Sequence, residues 1–351
     1  MRLWIYIARR LLILIPTLVG LTFIVFALTH AGGNNLILAE YINPRLSGPA
    51  REEAVAKLTA ELHLNQPIYV QYFYWLAEVL KGNWGYTNTP IFSGSVTQAI
   101  ALFMPNTLSI SLFAALLIWV IGIPLGVFSA VNRDSVGDNA VRVTSFGLYS
   151  MPIYLIAVAL ILALGVYLKV LPFAGVVNPL LVSNVPWYHN GISYPTHILL
   201  IDAIIHGDWV VAGNAFLHMI LPSLTLALGV LAGVIRILRA SMLEVLDQDY
   251  IKLARAKGVP ERAVYNLHAR RNAILPTVTF FGYTVAGLLG GAVVVEEVFN
   301  YPGIGYWTTQ ALLNNDVGGI LGSTLVFGLI LIFTSLILDI VYAFLDPRIK
   351  Y

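Results

Sequence analysis

Asp249-Tyr250-Ile251-Lys252-Leu253-Ala254-Arg255-Ala256-Lys257-Gly258-Val259-Pro260 is a charged, water-seeking run set between two long apolar blocks. Such a run divides the flanking sequence into separate segments and leaves a polar surface between them. Within it, Gly258 can take the left-handed conformation that closes a helix. Pro260 suits the first position of a new helix, where its missing N–H is not needed. Glu261 adds a negative charge at that new N-terminus, which favours the helix dipole. Upstream, residues 241–256 keep a helical pattern through Met242, Val245, Leu246, Ile251, Leu253 and Ala254. The stretch therefore reads as helix, sharp turn, helix.

The blocks on either side belong to a membrane protein. Of 351 residues, 58% are hydrophobic and 11% charged, against about 25% charged in soluble domains. With a mean hydropathy of +0.80, the chain has too little polar surface to cover a water-exposed globule. The absence of cysteine excludes disulfides and thiolate metal sites.

Charge-poor apolar blocks near 11–29, 107–131, 143–168, 217–235, 274–295 and 319–338 predict six spans of an all-α polytopic protein. The first block follows Arg9-Arg10. It is longer than the apolar core of a cleaved signal and lacks an Ala-x-Ala site behind it, so it reads as an anchor. Pro16, Pro124, Pro152 and Pro222 lie inside these blocks, where neighbouring membrane helices can satisfy freed carbonyls.

With both termini inside, the inner set is Arg2, Arg9, Arg10, Arg133, Arg142, Arg236, Arg239, Lys252, Arg255, Lys257, Arg262, Arg270, Arg271, Arg348 and Lys350. The outer set is Arg45, Arg51, Lys57, Lys81 and Lys169. This is a clear positive-inside bias, and it places the opening run on the cytoplasmic side. Residues 31–104 form an outside segment too long for a simple connector. It contains a helical piece at 51–64, with Glu53 and Lys57 at i,i+4 spacing, and an aromatic-rich piece at 67–80. The division expected is 1–30 for the N-terminus and first span, 31–104 for an extracytoplasmic subdomain, and 105–351 for a core of five spans with a loop at 240–272.

Several chemistries find no support. A phosphate-binding P-loop needs Gly-Lys-Ser/Thr, and no Gly-Lys dipeptide occurs. Leu46-Ser47-Gly48 is followed by Pro49-Ala50, on the outer side. No His-Glu-x-x-His zinc motif exists among the seven histidines, and His218 reads as a span-end residue. Glu296-Glu297 reads as a helix-end pair without the nucleophile or metal set of an active site. Asp339, near the end of the sixth span, reads as a capping or pairing group at the cytoplasmic interface. The basic cluster adjoins spans and lacks an RNA-binding aromatic motif, so nucleic acid is not expected.

On the residues alone, two readings of the opening run stay open: a docking surface, or an ordinary inner loop made basic by the positive-inside rule. For docking, the small Ala254, Ala256 and Gly258 would let a partner groove close on the backbone, while Arg255 and Lys257 would set register. Gln248-Asp249-Tyr250-Ile251-Lys252-Leu253-Ala254-Arg255-Ala256-Lys257-Gly258 with Arg271-Asn272-Ala273-Ile274-Leu275-Pro276 resembles the coupling-loop signature of binding-protein-dependent ABC transporter permeases, in its dipeptide/oligopeptide form. The resemblance extends through Arg9-Arg10-Leu11-Leu12, Leu64-Asn65-Gln66-Pro67-Ile68-Tyr69, Gly82-Asn83-Trp84-Gly85, Leu221-Pro222, Glu296-Glu297-Val298-Phe299-Asn300-Tyr301-Pro302-Gly303-Ile304-Gly305 and Leu338-Asp339-Ile340-Val341-Tyr342. Departures from the broader pattern are Lys252 where an acidic residue opens the motif, Ala31-Gly32-Gly33-Asn34-Asn35 in place of Pro-Gly-Asp, and Gly82-Asn83 in place of Gly-Asp.

The resemblance implies a type I importer permease in a prokaryotic cell membrane. Its implied partners are a homologous second permease subunit, two ABC ATPase subunits, an extracytoplasmic substrate-binding protein and the bilayer. ATP and Mg would be held by the ATPase subunits, with no cofactor or metal in this chain. The implied coupling residues are Leu253, Ala254, Arg255, Ala256, Lys257 and Gly258. Short peptides are the implied cargo. Oligosaccharides remain open on the aromatic outer loops, nickel lacks convincing ligands, and an ion-gradient-driven secondary transporter is the rival class, which would favour inverted repeats and midplane charge.

Overall fold

The structure, a computed structural model, describes the backbone of residues 3–30, 33, 38, 42, 47–189 and 192–345, and their side chains apart from 3–11, 14, 289–291 and 338–345. The Arg9-Arg10 side chains, Arg45, Leu46, most of Ala31–Asn35, the Asp339 side chain, Arg348 and Lys350 fall outside the described residues.

The centre of the molecule is the pairing of two long helices, α4 (Val96–Val131) and α8 (Trp209–Leu246). Ser95 and Gln98 form a reciprocal capping box that starts α4, satisfying two donors that a helix N-terminus leaves open. The two helices approach closely because Gly122 and Gly126, one turn apart, carry no side chain. A Cβ at either would lie 2.9 Å from Val234 Cγ1 or Leu238 Cδ2 respectively. This is the small-residue packing that membrane helices use in place of a hydrophobic driving force. Ile110, Ile118, Leu221 and Leu238 are fully buried around the pair, and Ser223 donates from α8 to the Ile110 carbonyl at 3.0 Å.

α1 (Leu3–His30) is followed by α2 (Pro49–Glu61) and α3 (Ile68–Leu80), close to the pieces expected at 51–64 and 67–80. The i,i+4 ion pair on α2 is Lys57–Glu61 at 3.9 Å, where Glu53–Lys57 was expected. Tyr72 holds α3 against α1: its hydroxyl donates to the Val19 carbonyl at 3.0 Å and meets the Thr22 hydroxyl at 2.9 Å. Tyr72 is thus used for packing, while Tyr69, Phe73 and Tyr74 are exposed.

The expected block at 143–168 is broken. α5 (Val136–Ser150) and the following helix, α6 (Ile153–Leu160) continued as a π-helix over Ile161–Tyr167, meet at 109°. Pro152 has no N–H and forces the residue before it out of the helical region; Met151 is extended, with ψ 134°. A proline that a membrane helix could have tolerated here makes an elbow. A short helix, α7 (Leu199–Ile205), precedes α8. Trp187, in the preceding loop, stacks on His206 with centroids 4.9 Å apart.

Beyond α8 come α9 (Asp249–Ala256), α10 (Arg270–Gly291), α11 (Val293–Val298), α12 (Ile304–Leu313) and α13 (Val317–Leu345). Here Glu296 explains its motif. Its carboxylate is fully buried, accepts from the Thr107 hydroxyl at 2.6 Å and from the Tyr306 N–H at 2.8 Å. Thr107 in turn accepts from the Ile304 N–H at 2.8 Å. One carboxylate therefore caps the N-terminus of α12 and ties it to α4. Glu296 takes a helix-end position, on the helix that follows its own.

The expectation of an all-α chain is corrected by two short antiparallel ribbons. β1 (Tyr86–Thr89) pairs with β2 (Phe92–Ser95), and β3 (Tyr188–His189) with β4 (Ile192–Ser193). The first is fastened to the start of α13 by Asp316, which accepts from the Thr87 hydroxyl and, at 3.1 Å, from the Asn88 N–H. Gly318 lies beneath it, and a Cβ there would run into the Tyr86 carbonyl oxygen. Gly318→Ala is expected to lower stability by about 1–3 kcal/mol, the usual cost of overpacking against backbone. Thermal unfolding of the purified protein measures this, and an unchanged midpoint would show that the ribbon can lift without cost.

Among the described residues, three helices are long and apolar enough to cross a membrane, Val96–Val131, Trp209–Leu246 and Val317–Ile337, and a fourth is reached where the bent pair is counted as one span.

Candidate coupling surface

α8 ends at Leu246, and Gln248, extended at ψ 149°, separates it from α9. The helical pattern read as continuous over 241–256 is thus divided at Asp247-Gln248. Two polar residues there contribute no apolar contact to hold the helix, and Asp249 in the first turn of α9 favours a fresh start. α9 is anchored through one residue. Ile251 is fully buried and packs with Met242, Val264, Ala269 and Ala273. A second tie joins α9 to α10, as the Asn272 amide donates to the Tyr250 hydroxyl at 3.1 Å.

The turn after α9 is closed by its backbone. The Gly258 N–H donates to the Arg255 carbonyl at 2.9 Å, and the Val259 N–H to the Ala254 carbonyl at 3.2 Å. That pair of bonds is a Schellman motif, with Gly258 at φ +76° in the left-handed position it requires. Pro260 stands one residue earlier than expected. With ψ 138° it precedes the next helix, which starts at Glu261 as a single α-turn and continues as a π-helix over Val264–Ala269 into α10.

The six residues singled out in sequence lie together on this hairpin. Leu253, Arg255, Ala256, Lys257 and Gly258 are exposed, while Ala254 turns partly inward. Leu253 is 55% exposed although apolar. Arg255 spans the turn to Glu261, with Nε to Oε1 at 2.9 Å and a second contact at 3.4 Å. These hydrogen bonds hold the Glu261 carboxyl below the usual carboxylate range. A depressed carboxyl keeps the pair formed at neutral pH, and the contact is lost only as pH falls through that lowered value. Lys252 is occupied by Asp249 at 2.9 Å. Among the described residues, Lys257 forms no such ion pair. The hairpin therefore presents an exposed leucine, a small alanine and a lysine on a backbone fixed by its turn and by Ile251. Chemically it can dock and transmit force; it carries no group placed for catalysis.

Between α5 and α8 lies a buried ion pair that sequence reasoning missed. Asp138 on α5 is fully buried and accepts from Arg239 on α8 in two parallel bonds, at 2.9 and 2.7 Å. Ser129 of α4 and the Asp134 N–H complete its shell. Arg239 was legible only as one of the inner set of charges. Its partner is 101 residues away, and no local pattern joins them.

The rings of His30, His197, His206 and His218 each bond a backbone carbonyl four residues earlier at 2.8 Å. Among the described residues, no group of three His, Cys, Asp or Glu side chains is placed to hold a metal ion.

Residues 122–351 match the model of a family described as the binding-protein-dependent transport system inner membrane component. Over 352 aligned positions, covering 99% of this chain and 98% of the relative, the chain is 35% identical to the dipeptide transport system permease protein DppB of Escherichia coli K12. It is 35% identical to the oligopeptide transport system permease protein AppB of Bacillus subtilis 168, with 99% of each chain covered. It is 34% identical to the di/tripeptide transport system permease protein DppB of Pseudomonas aeruginosa, with 99% and 98% covered.

Proposed function

This chain belongs to the family of binding-protein-dependent transport system inner membrane components, and on that premise we propose that it is the permease subunit of an ATP-driven importer of short peptides in a bacterial inner membrane. The observation that carries the reading is similarity over nearly the whole chain to permeases named for dipeptides and oligopeptides. It favours peptides over oligosaccharides and an ABC permease over a gradient-driven carrier.

In this reading six spans cross the bilayer: α1, α4, the elbow of α5 and α6, α8, α10 and α13. Residues 1–30 anchor the chain, 31–104 form an outer subdomain, and 105–351 form the core, with 240–272 facing the cytoplasm. A second, homologous permease completes the path, two ATPase subunits hold ATP and Mg, and an external binding protein delivers the peptide. Leu253, Ala254, Arg255, Ala256, Lys257 and Gly258 form the contact through which the ATPases move the spans. A shift between outward and inward access needs contacts that differ between the two states. The α9 hairpin supplies a place for them, because its turn is closed by backbone hydrogen bonds and a two-residue linker separates it from α8.

The test is reconstitution of the complete importer in proteoliposomes. ATP-dependent accumulation of labelled di- and tripeptides, dependent on the binding protein, is the expected result. Accumulation driven by an ion gradient without ATP, or of oligosaccharides in place of peptides, would overturn it.

A further inference from the structure

α3 carries three faces on 13 residues. Tyr72, Trp75 and Val79 turn to the protein, with the Tyr72 ring edge-on to Phe23 and Phe26 of α1, centroids 5.1 and 5.5 Å apart. Gln71 and Glu78 make a polar face, where the Glu78 carboxylate accepts from Lys81 and Asn83. The third face is apolar and uncovered among the described residues: Tyr69, Phe73 and Leu80 are 57, 63 and 81% exposed. At about 100° per residue these three fall within an arc of about 40°. α2, by contrast, has no buried residue and carries Glu52, Glu53, Lys57 and Glu61, the composition of a helix standing in water.

What covers the stripe follows from its depth. The apolar run of α1 over 11–29 is about the ~20 residues that cross the hydrocarbon. On the reading of α1 as the first span, its end at His30 therefore marks the outer hydrocarbon boundary. The Tyr72 hydroxyl meets Val19 and Thr22, which stand roughly 16 and 12 Å below His30 at the helical rise. A tyrosine side chain does not span that distance, so the α3 backbone itself lies beside the apolar part of α1. The Tyr72 and Thr22 hydroxyls both find backbone acceptors inside the protein, on Val19 and Leu18, as groups cut off from water must. The ends of α3 are polar and exposed, Asn65 and Gln66 before it and Lys81 and Asn83 after it. Wet ends and an apolar flank at this depth belong to a helix in the interface. Amphipathic helices there sink about 5–10 Å into the headgroup–acyl boundary, and tyrosines concentrate at that level. A water-borne binding protein does not reach below the boundary, and a second permease seated on the stripe would shut out lipid as well as water. We propose that α3 is seated in the outer leaflet of the bilayer, with Tyr69, Phe73 and Leu80 against acyl chains. The outer subdomain is thereby fastened to the membrane beside the first span, with α2 above it in water.

The absence of cysteine allows one nitroxide label at a time, on Tyr69→Cys and Phe73→Cys in α3, Glu53→Cys in α2 and Ile24→Cys in α1. All four native side chains are exposed, so the labels displace no packing. Each variant is placed in nanodiscs with its partner subunits, whose co-purification is the assembly control. Collision with dissolved oxygen, which gathers among acyl chains, is compared with collision with a water-soluble nickel chelate. The labels at 69 and 73 are expected to be open to oxygen, with chelate collision about tenfold below that at 53, since hydrocarbon excludes polar solutes. The label at 24 should be closed to the chelate as well. Chelate access at 69 and 73 with 24 protected would overturn the seating of α3 and leave the first span intact. Loss of both oxygen and chelate at 69 and 73 would put a second polypeptide on the stripe and overturn the proposal too. Chelate access at 24 would instead take α1 out of the membrane, and the proposal with it.

Discussion

Ala256→Trp is expected to stop transport while leaving the chain folded in the membrane. Ala256 is exposed on the α9 hairpin, and surface substitutions of this kind change stability by no more than about 0.5 kcal/mol. Indole bulk at the centre of the proposed docking surface is another matter. A central interface residue commonly carries about 2 kcal/mol or more, which predicts at least a thirtyfold fall in uptake. Substrate-stimulated ATP hydrolysis should fall with it, because the spans and the ATPases no longer report to each other. Gly258→Pro should give the same phenotype by another route. Proline holds φ near −65°, whereas Gly258 sits at +76° with its N–H bonded to the Arg255 carbonyl. Proteoliposome uptake and ATPase assays on both variants, with thermal unfolding as the folding control, decide the matter. Normal substrate-stimulated ATPase activity in the Ala256→Trp protein would sink the assignment of this hairpin as the coupling contact.

The second large effect concerns the buried ion pair. Asp138→Ala leaves the Arg239 guanidinium, 18% exposed, without its carboxylate. Removing one member of a buried pair typically costs about 3–5 kcal/mol, chiefly because the survivor remains desolvated and unmatched. The purified protein should therefore unfold at a markedly lower temperature, and α5 should become more open to proteolysis than α4. Replacing both members, Asp138→Leu with Arg239→Met, should recover most of the loss, since a well-packed apolar pair often matches a buried ionic one. If Asp138→Ala melts with the wild type, the pair does not hold the elbow. If the double replacement is as unstable as the single one, the geometry of the pair matters beyond its charge.

Legibility in the sequence followed the range of the interactions. The α9 turn was readable because everything that makes it is local: a glycine for the left-handed position, a proline leading into the next helix, an acid at its start. The piece at 67–80 was readable only as aromatic-rich; neither its helix nor its hold on α1 through Tyr72 was. The two ribbons escaped because four residues of Tyr-Thr-Asn-Thr carry no pattern of their own, and the first stays in place through Asp316, more than two hundred residues onward. Pro152 shows the limit from the other side. The residue was noticed, but whether a proline bends a membrane helix or is absorbed by it depends on neighbours that sequence does not display. Asp138 was hidden because a carboxylate close to a predicted span looks like an ordinary loop charge until its arginine is seen.

The close contact at Gly122 and Gly126 also sets a gear ratio. α8 has 38 residues, so it is roughly 57 Å long, well beyond the roughly 30 Å of hydrocarbon it would cross. The points where these two glycines admit α8, Val234 and Leu238, lie nearer the α9 end. Taking Val234 as fulcrum, the arm toward α9 is roughly 18 Å and the arm toward Trp209 roughly 38 Å at the helical rise. Tilting of α8 about that fulcrum would sweep its Trp209 end through about twice the distance travelled at the hairpin. A displacement of one helical rise at α9 would then emerge near Trp209 as a shift of about 3 Å.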